Sequence, residues 1–360
     1  MNRKGRKARK EKKKNFALFA SFAVNIFSGE FMKITILTES EIRQCVRLDE
    51  EALTAVSNGF TQLAAGSVVM PPIMRIDVPE QNGEVDIKSA YVPGLDHFAV
   101  KMSSGFFDNY KLGLPSLGGM MILLSAKVGF PEALLLDNGY LTDVRTGLAG
   151  AIAAQHLAPK QVRTVGVIGA GAQARYQMQA LKLVRDFERV LVYNRSPERV
   201  EKYIEEMTAV LNAEIVKVDS VEEVIRQSEV VVTTTPAKKP FLQAEWLHPG
   251  LHITAMGSDA EEKNELEPAV LARADLLVCD RKSQVFRLGE YHHALEAGII
   301  TKDSPIVELG ELTSGQHPGR INDEQITVSD LTGTGVQDTA IASLAFRKAK
   351  EKGLGMTIEA

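Results

Sequence analysis

The run TVGVIGAGAQARYQMQAL, Thr164 to Leu181, constrains this chain more than any other stretch. A β-branched segment, Thr164–Ile168, ends in Gly169-x-Gly171-x-x-Ala174 and passes directly into a helical pattern. Glycines there let the backbone turn sharply and approach a pyrophosphate. The helix N-terminus beyond them offers free N–H groups at the positive end of its dipole. Glycine-rich turns are common, so the motif alone says little. Its setting decides: a strand before it, a helix after it, and a second apolar strand, Val190–Tyr193, completing the unit. The stretch predicts a dinucleotide site in which Gly169, Gly171, Ala172, Gln173 and Ala174 meet the cofactor.

The second strand runs into Asn194-Arg195-Ser196, twenty residues beyond Ala174. NAD-selective sites usually carry an acidic residue there to grip the ribose 2′-OH. None is present. Arg195 and Ser196, beside Asn194, suit a 2′-phosphate, which favours NADP(H) over NAD(H). The competing reading is local: Asn194 and Ser196 only build the loop and the N-cap leading to Pro197-Glu198.

Around this unit the chain divides. Residues 38–66 read as helical, with Ser40 as the N-cap. Short strands then alternate with Pro-Pro, Asn-Gly and Pro-Gly turns: Ile73–Val78, Val85–Tyr91, Phe98–Ser103, Gly119–Ser125 and Ala133–Leu136. Together they suggest an antiparallel layer packed on the first helix. Asn138–Leu157 is a long, Ala-rich helical pattern. Beyond Pro159 come Glu214–Val218, Val230–Thr234, His252–Ala255 and Leu276–Cys279, in the strand–helix rhythm of a parallel sheet. Ile326–Leu331 and a helical Gly335–Lys350 are expected to return to the first domain. The fold class is therefore α/β: a doubly wound parallel (Rossmann) sheet, residues 146–325, plus a second α+β domain, residues 32–145 with 326–360. Ligands of such sheets sit at the carboxyl ends of the strands, which puts Thr234, Met256 and Gly257 on loops facing the cofactor.

Residues 1–31 stand outside this scheme. They carry nine Lys/Arg and two acids, leaving 33 basic and 44 acidic residues in the remainder. An acidic body argues against nucleic acid as the main partner. The basic run precedes the apolar Phe16–Phe27, an order seen in signal peptides. No A-x-A cleavage motif follows, and the segment is short for a bilayer. The alternatives are a targeting or membrane-surface segment and an upstream extension with a working start near Met32. Membrane contact is expected only if the extension is real. Two distant cysteines, Cys45 and Cys279, suggest neither a disulfide framework nor a zinc site, and fit a reducing, cytoplasmic setting.

Several charged residues sit beside strand ends and glycines: Arg75, Lys88, Lys101, Arg145 and Asp259. Taken with VKMSSGFFDN, LLLDNGYLTDVRTGLAGAIAAQHLAP, VGVIGAGAQAR, VYNRSPER, ITAMGSDAEEKNEL and DLTGTGVQDTAIA, they resemble the ornithine cyclodeaminase/mu-crystallin family from about Met32 to the C-terminus. In detail the chain is most similar to the ectoine-utilisation cyclodeaminase-like and iminosuccinate reductase branch. The resemblance implies an enzyme that oxidises an α-amine to an imine with NAD(P)⁺ or reduces such an imine with NAD(P)H. It also implies a homodimer built through the substrate-binding domain.

Carried over residue by residue, the resemblance implies that Arg75, Lys101 and Arg145 surround the substrate carboxylate. Arg suits this task because its planar fork meets a carboxylate bidentately. Lys101 is also expected to exchange a proton with the reacting nitrogen, given a desolvated, cationic site. Asp259 matches the catalytic aspartate and argues for an enzyme over a binding protein of the mu-crystallin kind. Its bland alternative is the N-cap of a helix over Glu261–Leu266, with the acidic run behind it a solvated helix start. Thr146 matches a contact to cofactor phosphate. Lys88 either neutralises a second substrate carboxylate or pairs with Asp86. Each basic residue has the same competitor, an ordinary surface charge or ion-pair member. His292-His293 is not expected to bind metal, because adjacent helical side chains point apart. The leading expectation is an imino-acid reductase, with iminosuccinate to aspartate as the most specific guess. Cyclodeamination of a diamino acid such as ornithine, or of an ectoine-derived diaminobutyrate compound, is the alternative.

Overall fold

The computed structural model describes residues 33–359; the basic and apolar extension, and Met32 as a start, lie outside them. Two sheets organise the chain. The first contains β1 (Lys33–Thr38), β2 (Met74–Val78), β3 (Gly83–Ala90), β4 (His97–Phe106), β5 (Leu117–Ser125), β6 (Pro131–Leu136) and β15 (Met356–Glu359), in the order β15-β1-β6-β5-β4-β3-β2. Only β1 and β6 pair in parallel. The second contains β7 (Thr164–Ile168), β8 (Arg189–Tyr193), β9 (Glu214–Lys217), β10 (Val230–Thr233), β11 (His252–Ala255), β12 (Leu276–Cys279), β13 (Ile306–Glu308) and β14 (Thr327–Asp330), ordered β13-β12-β14-β11-β10-β7-β8-β9 and parallel throughout.

The parallel strands show why the second sheet is central. VVVT of β10 and LLVC of β12 are buried at every position, the pattern of a sheet covered on both faces. One apolar cluster around Val165, Val190 and Tyr203 fills one side, and another around Ile253, Leu271 and Tyr291 fills the other. The first sheet differs. Its inner face, Ala99, Met121, Leu123 and Leu135, packs with Phe60, Leu148 and Phe346 of three helices. Its outer face presents Phe98, Val100, Met102, Met120, Ile122, Leu124 and Leu134, none of them buried.

Three expectations are corrected. The helical segment 38–66 is two helices, Glu39–Cys45 and Glu50–Ala64, and Thr38, not Ser40, precedes the first. There the Glu41 carboxylate accepts the Thr38 N–H at 2.9 Å, and Asp49 caps the second helix through Ala52 N–H. Thr327–Asp330 does not return to the first domain. It lies between β11 and β12, and only the helix Gly335–Lys352 and β15 rejoin the first layer. The helix Tyr140–Leu157 crosses the expected boundary at 145/146, packing against Glu50–Ala64 on one side and Ala172–Leu181 on the other. Gly147 permits the second contact, since a Cβ there would meet the Tyr176 carbonyl oxygen at 2.9 Å. Among the described residues no helix is long and apolar enough to cross a membrane.

Candidate active site

The site forms where β3, β4 and two helices converge. Lys88 and Lys101 are direct register partners on the antiparallel strands β3 and β4. Two buried ammonium groups side by side require an anion. Asp338, one turn into the helix Gly335–Lys352, supplies it. Its Oδ2 lies 3.2 Å from Lys101 Nζ, and its Oδ1 lies 3.0 Å from Arg145 Nε. All three side chains are nearly inaccessible. Burial opposes the charge on Asp338, but Lys101, Arg145 and Lys88 outweigh it and hold the carboxyl below its usual range. Burial, helped by the Arg145 charge, drags the Lys101 amine down to about 7, with Asp338 pulling the other way. Lys88 has no carboxylate partner among the described residues. Its Nζ donates to the carbonyl oxygens of Thr332 and Gly333, each at 3.2 Å.

Lys88, Lys101 and Arg145 line a cavity of about 480 Å³ between the two sheets, which Asp338 does not reach. Asp259 faces it from the loop after β11, together with Thr146, Ala172, Gln173 and Met256. No helix follows Asp259, contrary to the N-cap alternative. Residues 259–265 form an irregular loop, because Glu265 is buried rather than solvated. Its carboxylate accepts Thr235 N–H at 2.7 Å, Gly257 N–H at 3.0 Å and the Thr233 hydroxyl at 2.5 Å, tying the ends of β10 and β11 together. Burial raises Glu265 to about 6 against those donors. Lys263 reaches back across the loop to Asp259 at 2.5 Å. Burial works against the Asp259 carboxylate, yet Lys263 and Lys88 hold it below its usual range.

Arg75 stands apart from this group. Its guanidinium pairs with Asp77 at 2.8 Å and Glu84 at 2.5 Å, and it does not line the cavity. Glu84 does, beside Asp86, whose Oδ1 is buried without a hydrogen-bond partner. The Lys88–Asp86 pair, one of the two alternatives for Lys88, is not formed.

A second cavity, of about 500 Å³, is lined by Gly169, Gly171, Asn194, Arg195, Ser196 and Thr234. Gly169 adopts φ +113°, and a Cβ there would collide with Thr234; a Cβ at Gly171 would point into open space. The helix Ala172–Leu181 begins with no side-chain cap. An open cradle at an uncapped helix start fits a pyrophosphate. Ser196 does cap the helix Pro197–Leu211, as the local reading held, while still lining this cavity. Ala174 and Gly257 line neither cavity. Ala174 is packed inside the apolar cluster beneath the sheet, and the Gly257 N–H is taken by Glu265. His292 and His293 do not point apart, contrary to expectation: their rings lie 5.1 Å apart, a carboxylate, Glu296, stands 3.6 Å from His292, and His293 meets the Lys263 carbonyl oxygen at 2.8 Å.

The functional group that sequence reasoning missed is Asp338. It sits inside DLTGTGVQDTAIA, a motif singled out only for its likeness, and nothing local marks one helical acid as buried.

Residues 32–353 match the sequence profile of the ornithine cyclodeaminase/mu-crystallin family. The chain belongs to that family. An uncharacterized cyclodeaminase of Sinorhizobium fredii is 52% identical over 325 residues, covering 90% of this chain and 98% of that protein. Among solved structures, an archaeal alanine dehydrogenase dimer with bound NAD superposes with a TM-score of 0.84 at 34% identity, covering 91% of this chain and 99% of that one. The iminosuccinate reductase of Paracoccus denitrificans in complex with NAD⁺ also gives 0.84, at 30% identity over 91% of this chain and all of that one. The protein is accordingly an NAD(P)-dependent oxidoreductase or cyclodeaminase of amino and imino acids, with an α/β fold and a Rossmann-like parallel sheet.

Proposed function

We propose that the protein is an imino-acid reductase that turns a dicarboxylic imine, most specifically iminosuccinate, into its amino acid. The observation that carries this reading is a buried lysine without a carboxylate partner. Lys88, Lys101 and Arg145 line one cavity; Asp338 pairs with Lys101 and Arg145, whereas Lys88 forms no ion pair among the described residues. A buried cation is costly unless paired, so Lys88 awaits an anionic group of the substrate. Arg145 takes the α-carboxylate and Lys88 the distal one. The cofactor, when bound, supplies a hydride to Cα. Lys101, whose amine titrates near neutrality, holds and delivers the proton at the imine nitrogen. Asp259 stabilises the developing iminium charge.

One observation favours cyclodeamination of a diamino acid instead: Asp86 and Glu84 line the same cavity, and the unpartnered Asp86 Oδ1 would satisfy a distal ammonium. The assay separates the two. With NAD(P)H, oxaloacetate and ammonia, the reductase oxidises the cofactor; with ornithine and NAD⁺, a cyclodeaminase releases ammonia without net NADH. Absence of the first activity together with the second overturns our reading.

We also infer a preference for NADP(H). Arg195, Arg199 and Lys239 line the second cavity, no carboxylate does, and none of the three forms an ion pair among the described residues. The apolar outer face of the first sheet is the inferred dimer interface, and two buried free cysteines suit a reducing cytoplasm.

A further inference from the structure

We propose that Asp280 is the counter-ion of Lys88, acting on it through the peptide between Thr332 and Gly333. Asp280 follows β12 directly and is buried, on the far side of the Thr332–Gly333 loop from the cavity. Its Oδ2 accepts the N–H of Gly333 at 2.7 Å and of Thr332 at 2.9 Å, and its Oδ1 accepts the Thr332 hydroxyl at 3.1 Å. The carbonyl of the same Thr332–Gly333 peptide accepts Lys88 Nζ at 3.2 Å. One peptide dipole therefore stands between anion and cation with its N–H toward the carboxylate and its C=O toward the ammonium. Both ends are favourable, and in a buried site such interactions reinforce one another.

The arrangement answers a problem of chemistry. A carboxylate touching Lys88 inside the cavity would compete with the substrate for it. A carboxylate one peptide away compensates the charge and leaves a donor of Lys88 free. The loop is fixed from other sides too. Gln284 Nε2 donates to Gly333 O at 2.9 Å and Thr332 Oγ1 at 2.8 Å. Gly333 has φ +82°, and a Cβ there would lie 2.6 Å from the Arg145 guanidinium. The loop thus touches both cations assigned to substrate carboxylates. Asp280 is a positioning residue, since it reaches the substrate only through Lys88.

The inference rests on the reading of Lys88 as a substrate anchor, and a double-mutant cycle separates the two. Dissociation constants of succinate, a non-reacting dicarboxylate, are measured with NAD(P)H bound in Asp280→Asn, Lys88→Met and the double variant. Asp280→Asn is expected to weaken succinate by about tenfold and to leave the KM for NAD(P)H within twofold. In the Lys88→Met background the same change is expected to add less than twofold. Equal factors in both backgrounds overturn the relay and leave the anchor standing. Unchanged succinate binding in Lys88→Met overturns the anchor, and the relay with it. Gln284→Ala, which loosens the same loop without touching the buried acid, is the second variant. It is expected to weaken succinate about threefold only while Lys88 is present, and a Lys88-independent loss counts against the proposal.

Discussion

Lys101 and Asp338 form a buried ion pair, 3.2 Å from Nζ to Oδ2, across two elements far apart in sequence. On the proposed mechanism, this pair sets the working pH. Lys101 titrates at about 7, and the charges facing it are Arg145, Asp338 and Lys88, with Asp137 within Coulombic reach. Imine reduction needs the protonated amine, so kcat is expected to fall as pH rises through 7. Oxidation of the amino acid needs the free base and is expected to rise over the same interval. Asp338→Asn removes the one group among these that pulls the Lys101 pKa strongly upward, so the descending limb of reduction should move to lower pH. Rate profiles that keep the same midpoint in wild type and variant would show that Lys101 is not the titrating group.

On the same mechanism, Asp259 and Lys263 are expected to give the acidic side of the profile. Lys263 is the principal charge holding the Asp259 carboxyl below its usual range against burial. Lys263→Met is expected to raise that pKa and shift the acidic limb of kcat/KM upward. Asp259→Ala and Lys101→Ala are each expected to lower kcat/KM by at least ~10²-fold, the scale of lost acid–base catalysis. Circular dichroism and cofactor binding near wild type establish that either loss is chemical. Rates near wild type in both variants remove the mechanism.

The division of labour between sequence and structure follows range. Gly169 and Gly171 were legible because the strand, turn and helix they join are contiguous, and at Gly169 a positive φ and the close approach of Thr234 leave a mark at one position. Lys88, Lys101 and Arg145 were recognisable from their motifs, but not their shared dependence on Asp338, which comes from a helix packed on β4 from the far end of the chain. Thr327–Asp330 read as a return to the first domain because its place between β11 and β12 is decided by sheet order, not by its own residues. Asp259–Glu265 misread as a helix start for a related reason. A run of acids at helical spacing looks solvated until Glu265 is seen holding the N–H groups of Thr235 and Gly257.

Cofactor preference is tested at the adenosine end. A charge-assisted hydrogen bond contributes about 1.5–3 kcal/mol, or roughly tenfold and upward in affinity. Arg195→Ala and Lys239→Ala are therefore each expected to raise the KM for NADPH about tenfold and to leave that for NADH within twofold. Asn194→Asp should move the ratio further toward NADH, by adding an acceptor for the 2′-OH and repelling a 2′-phosphate. Parallel losses with both cofactors would mean that this loop supports the fold, not the choice.

The outer face of the first sheet offers the remaining test. Val100, Met102, Met120, Ile122 and Leu124 lie on neighbouring strands and point away from the helices, forming a contiguous apolar surface that a lone subunit leaves in water. A second copy presenting the same face would cover it with closed twofold symmetry. Ile122 sits near the middle, paired with Val100 on one side and Leu134 on the other. Ile122→Lys buries a charge only if the faces meet. Light scattering after gel filtration is expected to show twice the subunit mass for wild type and the single mass for the variant. A wild-type monomer, or a variant that still elutes at the doubled mass, would place the interface elsewhere.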